Sequence, residues 1–273
     1  MVDPPETLGI IAGSRSLPFR LVSQARAAGV KRIIAAAFEK ETDPALAGVV
    51  DEIEWLRVGQ LGKLCKTFSS RGARHCVMAG QIAPKNLFDL RPDLRAMALL
   101  MRLKEKNAHT IFGAIADELG KDGVELISAV PFLEPLMPKH GFLLGPELTA
   151  AQVEDARHGF RIAKEIARLE IGQIVVVKDG TVLAVEGFEG TDRCLERGGQ
   201  LAGRAGGATA VKVARAGHDM RFDIPCVGER TVRVCADAGV TALVLEAGRT
   251  LILEEDEVAA LCRSRGVTIT TVE

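Results

Sequence analysis

LGIIAGSRSLPFRLVSQARAAGVKRIIAAAF, residues 8–38, is the stretch that decides the fold. Leu8–Ala12 is an apolar run of strand length that stops at Gly13-Ser14, and Leu17–Ala28 has helical period and ends at Gly29. Ile33–Phe38 is a second apolar run. The alternation continues outward. A third strand closes the segment ending in Glu54–Val58, Leu61–Arg71 is helical, and His75–Ala79 is a buried strand that stops at Gly80. Strands alternating with helices imply a mostly parallel sheet covered on both faces, a Rossmann-like α/β domain.

Residues 92–121 read as helix with a break around 106–108, and Val124–Ser128 as strand. VPFLEPLMPKHGFLLGPELT, residues 130–149, then carries four prolines and two glycines, too many for a regular element. The division expected is a domain over 1–130, an apolar Pro-rich linker over 131–148 that packs against something, and a C-terminal catalytic α/β domain over 149–273. That second domain opens with a helix, Ala150–Leu169, capped by Thr149 or Glu147. Strands Gln173–Lys178 and Thr181–Glu186 flank Asp179-Gly180, a hairpin signal. Asp192–Arg197 reads as a helix stopped by Gly198-Gly199. Strands Ala208–Ala214, Val240–Glu246 and Thr250–Leu253 and helices Gly228–Ala238 and Glu255–Arg265 complete a mixed sheet with helices.

Of 273 residues 47% are apolar and 26% charged, the balance of a chain that buries a core. A net charge of −1 argues against nucleic acid as a partner. None of the six cysteines is spaced as CxxC, which fits scattered buried thiols in a reducing cytosol. The N-terminus lacks the pattern of a signal peptide, and no apolar run approaches the roughly 20 residues that cross a bilayer. A soluble, cytosolic protein is expected.

Three constellations carry chemistry. The turn at Gly13 and Ser14 joins a strand to a helix and offers backbone N–H groups to a phosphate, although it is neither GxGxxG nor a Walker A loop. A tight turn without ligand reads equally well. AVEGFEGTD, residues 184–192, spaces Glu186, Glu189 and Asp192 by three around Gly190-Thr191. Thr191 and Asp192 are candidate helix caps, but capping leaves the two glutamates unexplained. GHDMRFDIPCVGERTV, residues 217–232, gathers Asp219, Arg221 and Asp223 on a loop after Lys212. Magnesium is held by one or two carboxylates together with substrate phosphates, and Lys212 and Arg221 would balance phosphate charge. The alternative is an Asp–Arg salt bridge on a solvated loop, worth little. The histidines are dispersed, and His218 beside Asp219 is the one to keep in view.

Taken together, GIIAGSRSLP at 9–18, GQI at 80–82, AIADELGKDGVEL at 114–126, AVEGFEGTD and KVARAGHDMRFDIPCVG at 212–228 resemble the LpxI type of UDP-2,3-diacylglucosamine pyrophosphatase. The similarity runs over essentially the whole chain. It implies two α/β domains with the lipid held between them. It also implies hydrolysis of UDP-2,3-diacylglucosamine to UMP and 2,3-diacylglucosamine 1-phosphate (lipid X), a step of lipid A synthesis in Gram-negative bacteria. The resemblance brings a divalent cation, typically Mg2+, and attack of water on the sugar-side phosphorus. Carried over by motif, Asp223 is the catalytic aspartate. Asp223, Asp219 and Glu186 are candidate metal ligands. Gly13, Ser14, Gln81, Glu189, Thr191, Asp192, Lys212 and Arg221 are candidate substrate contacts. Cys226 departs from the small hydroxyl residue expected in the turn. The apolar linker from Phe132 to Leu144 and the Met97, Leu99, Leu100, Met101 face are read either as an acyl-chain chamber or as ordinary core. A lipid substrate also implies peripheral contact with the inner membrane, and both a monomer and a homodimer stay open. Two other readings compete: a regulatory protein that binds a nucleotide or acyl-sugar phosphate without catalysis, and a Rossmann-type oxidoreductase, which the missing GxGxxG disfavours.

Overall fold

The computed structural model describes residues 4–82, 92–105, 108–214, 219–222 and 224–273, with the backbone alone at 108–109. Two compact units emerge, Met1–Leu133 with Asp219–Asp223, and Glu134–His218 with Ile224–Glu273.

The first unit runs β1 (Thr7–Ala12), α1 (Leu17–Ala27), β2 (Arg32–Phe38), β3 (Glu52–Leu56), α2 (Leu61–Ser69), β4 (His75–Ala79), α3 (Leu94–Arg102), α4 (Ala108–Lys121), β5 (Glu125–Leu126) and α5 (Val130–Leu133). Its strands stand in the order β3-β2-β1-β4-β5, all parallel. Leu8, Ile10, Ile11 and Ala12 of β1 are buried, as a strand covered on both faces requires. At Gly9 a side chain has no room, since a Cβ would stand 2.7 Å from the Phe68 ring of α2. Arg95 ties α3 to α4, with Nε donating to Glu118 and a terminal nitrogen to Asp122, each at 2.7 Å. Leu99 is buried in the core and Leu100 packs against it, whereas Met97 and Met101 are exposed. Only half of that Met/Leu face is therefore ordinary core.

The second unit runs β6 (Leu143–Leu144), α6 (Ala150–Arg168), β7 (Ile174–Lys178), β8 (Thr181–Val185), α7 (Thr191–Leu201), β9 (Ala208–Lys212), β10 (Cys226–Val227), α8 (Glu229–Ala238), β11 (Val240–Glu246), β12 (Leu251–Ile252), α9 (Glu255–Arg265) and β13 (Thr268–Val272). Its main sheet has the order β6-β13-β11-β9-β7-β8. Strands β9, β11 and β13 are parallel, and β6, β7 and β8 pair antiparallel to their neighbours. The mixed α/β architecture is the one expected. Thr149 and Gln152 form a reciprocal capping box, which decides the α6 cap in favour of Thr149.

Three local expectations need correction. The Pro-rich stretch is not free of regular structure: it contains α5, a short 3-10 turn at Glu134–Leu136 and the edge strand β6. Helix α7 does not stop at Gly198-Gly199 but runs through both to Leu201. A strand that the sequence pattern did not announce, β13, follows α9.

Candidate active site

In the first unit the crossover from β1 leads to β2 on one side, and β4 flanks β1 on the other. Ligands of parallel sheets lie at the carboxyl ends of the strands beside such a reversal of strand order. Gly13 and Ser14 follow β1 at this point, and Gly80 and Gln81 follow β4. The backbone N–H and the hydroxyl of Ser14 both donate to the Gln81 carbonyl, each at 2.8 Å, and the Gly13 N–H donates to Ala79 O at 2.8 Å. The N–H groups expected to face a phosphate thus close the two strand ends on each other. The glycines permit it. A Cβ at Gly13 would stand 2.6 Å from Gln81 O, and Gly80 has φ +88°. The structure brings Gly13, Ser14 and Gln81 together, as a clasp.

Asp219 and Arg221, grouped with this unit, form the bidentate pair weighed above. Nε of Arg221 donates to Oδ1 at 2.9 Å and a terminal nitrogen to Oδ2 at 2.6 Å. The Asp219 carboxylate raises the Arg221 pKa. Arg221 also lies over the Phe222 ring, which stacks on Phe112 at 6.0 Å. The loop end is packed, not merely solvated. Asp223 and His218 lie outside the described residues.

In the second unit, register places the remaining candidates at one end of the sheet. Lys212 pairs with Ile174 and Leu245, the Glu186 N–H donates to Ile174 O, and Glu246 closes β11. Lys212 is buried, and among the described residues its Nζ donates to the Cys226 carbonyl alone, at 3.4 Å. Among the described residues it has no carboxylate within ion-pair distance. Glu186 accepts from the Gln173 N–H and from the Thr191 hydroxyl, both at 2.8 Å. Thr191 therefore anchors Glu186, and the cap position of α7 is Gly190 with no side-chain cap. Glu189 pairs with Arg197, which holds its pKa below the usual carboxylate range. Asp192 pairs with Arg230 of α8 at 2.6 Å.

Every described candidate carboxylate thus already accepts from a donor of the protein, and no three His, Cys, Asp or Glu side chains among the described residues gather as a metal cluster. The described residues alone do not make a magnesium site. One arrangement escaped the sequence. Glu246 accepts the Ala214 N–H at 2.8 Å, Lys164 donates to Ala214 O at 3.2 Å, and the two side chains pair at 2.8 Å. An acidic residue closing an apolar strand was its only signal.

No described helix is long and apolar enough to cross a membrane. Two solved structures overlap weakly with this chain. An N5-carboxyaminoimidazole ribonucleotide synthetase, purK, in its ADP complex aligns at TM-score 0.29 and 12% identity over 70% of this chain and 41% of that one. The enzyme of that name from Thermotoga maritima gives 0.24 and 13%, over 67% and 41%. This chain spans about two fifths of the length of those proteins, and scores so low bear on neither fold nor function. The family matches are of another order. The LpxI N-terminal domain matches residues 7–136 and the LpxI C-terminal domain residues 139–270. UDP-2,3-diacylglucosamine pyrophosphatase LpxI of Caulobacter vibrioides is 30% identical over 97% of each chain. With both halves matched in order, the chain belongs to the LpxI family.

Proposed function

We propose that this protein hydrolyses the pyrophosphate of UDP-2,3-diacylglucosamine to UMP and 2,3-diacylglucosamine 1-phosphate in lipid A synthesis, working in the cytosol and meeting its lipid at the inner membrane. The observation that carries the reading is the full-length likeness to a pyrophosphatase of that name. Lys212 adds to it, because a buried ammonium that makes one long hydrogen bond among the described residues is suited to a phosphoryl oxygen. In the step, water oxygen bonds to the sugar-side phosphorus and the bond from that phosphorus to the bridging oxygen breaks. The bridging oxygen leaves with UMP. Asp223 takes the water proton or orients the water, and Lys212 balances the phosphoryl charge. A divalent cation, when bound, would neutralise the pyrophosphate. The described carboxylates are engaged with donors of the protein and do not by themselves hold such an ion.

The test is release of UMP from UDP-2,3-diacylglucosamine with Mg2+. Asp223→Ala should lower turnover by about 10²–10⁴-fold, the range of a lost general base. Chelator should abolish turnover and Mg2+ restore it; indifference to chelator sinks the metal dependence alone. In oxygen-18 water the label should enter the lipid phosphate, and label in UMP would refute sugar-side attack. Tight substrate binding without UMP release would favour the regulatory reading.

A further inference from the structure

Helix α3 carries more apolar surface than its packing uses. Asp93 caps it, accepting the Ala96 N–H at 2.8 Å, and accepts the Gly62 N–H at 2.7 Å as well. Arg95 ties the helix to α4, and Ala96 and Leu99 are buried in the core with Leu100 packed against it. These contacts hold α3 from one side. On the other side Leu94 is 85% exposed, Met97 47% and Met101 83%, with Ala98 exposed among them. At 3.6 residues per turn these four side chains share an arc of about 100°. Single exposed apolar residues are ordinary, but a continuous apolar stripe marks a surface that something else covers.

Positive charge borders the stripe. Arg102 stands one turn after Ala98 and Lys104 lies just beyond the helix; both are exposed, and neither pairs with a carboxylate among the described residues. Within residues 94–105 the single acid is Glu105. An apolar stripe edged by arginine and lysine is how a helix lies in the headgroup boundary of a bilayer, with its apolar side inward and its cations against anionic headgroups. We propose that the outer face of α3 is a membrane-docking surface that lays Leu94, Met97 and Met101 into an anionic lipid leaflet. The choice of a bilayer as occupant rests on the hydrolase reading above, whose substrate carries two acyl chains; the stripe itself does not.

The test is co-sedimentation of the full chain with phosphatidylcholine vesicles, with and without phosphatidylglycerol as a minor component. Wild type should bind the anionic vesicles, and the double variant Leu94→Gln/Met101→Gln should bind them at least about 10-fold more weakly. Arg102→Gln/Lys104→Gln should lose about 5- to 30-fold on anionic vesicles and little on neutral ones. Met97→Leu/Met101→Leu, which keeps the stripe apolar, should bind as wild type does. Because the altered side chains point outward, unfolding midpoints should stay near wild type, and Met101→Gln alone serves if the double variant folds poorly. No vesicle binding by wild type, or equal binding by the Gln variants, would overturn the proposal. A wild-type dimer that Leu94→Gln/Met101→Gln dissociates, without vesicle binding, would assign the face to a second copy instead. Vesicle binding as expected with no release of UMP would sink the hydrolase reading and leave the docking face standing; UMP release without α3-dependent binding would do the reverse.

Discussion

Five of the six cysteines are buried, and Cys226 is half-buried with its Sγ 3.1 Å from Ile224 O. Burial pushes Cys65 and Cys262 up to about 11, Cys194 and Cys235 to about 12, and Cys76 higher still. A thiol reacts as thiolate, so these five should be inert near neutral pH. The folded protein should release about one equivalent of colour with Ellman's reagent at pH 8, all from Cys226, and six after denaturation; two or more fast thiols in the native protein would refute this. Buried thiols were legible from spacing alone, because cysteines without CxxC or histidine partners default to core. Partners were less so. Asp192 lies 38 residues from Arg230, and no local pattern announces an ion pair made by two helices packed side by side. The Asp219–Arg221 pair, two residues apart, was legible.

Among the elements, α7 shows why a glycine pair is ambiguous. In sequence Gly198-Gly199 reads as a stop, but here both face tight packing. A Cβ at Gly198 would stand 2.6 Å from Val176, and one at Gly199 would stand 2.0 Å from the Ala238 carbonyl of α8. The absence of side chains lets α7 press against β7 and α8, and tertiary contact outweighs low helix propensity. Gly199→Ala should therefore destabilise the protein by about 1–3 kcal/mol, as overpacking against backbone does. Gly113→Ala in α4, where a Cβ meets nothing within 4 Å, should instead be neutral or stabilise by up to about 1 kcal/mol. Paired denaturant curves check both, and a neutral Gly199→Ala would refute the packing argument.

For the whole molecule, the strand–helix alternation made both α/β units legible, while the strand that completes the second sheet was not. In β13 Ile269 is fully buried, but threonines at 268, 270 and 271 blur the apolar run. Their hydroxyls are not idle. Thr268, Thr270 and Thr271 donate to the carbonyls of Pro146, Phe142 and Lys139 at 2.7, 2.8 and 2.9 Å. The apolar Pro-rich stretch is thus bound to β13, and Phe142 and Leu144 pack on the second core. A chain ending at Gly266 should lose the second unit and keep the first, giving a protease-resistant fragment near residues 1–133; survival of the second unit would refute the role of β13. The register of β13 also sets an order of birth. All five strands of the first sheet have been made by residue 126, so that sheet can pair while the ribosome is still working. Leu144 must wait for Ile269, 125 residues later, before its edge is covered. Such distant pairing is slow to close, and the second half leaves the ribosome with an open sheet edge, the stage at which a chaperone would matter most.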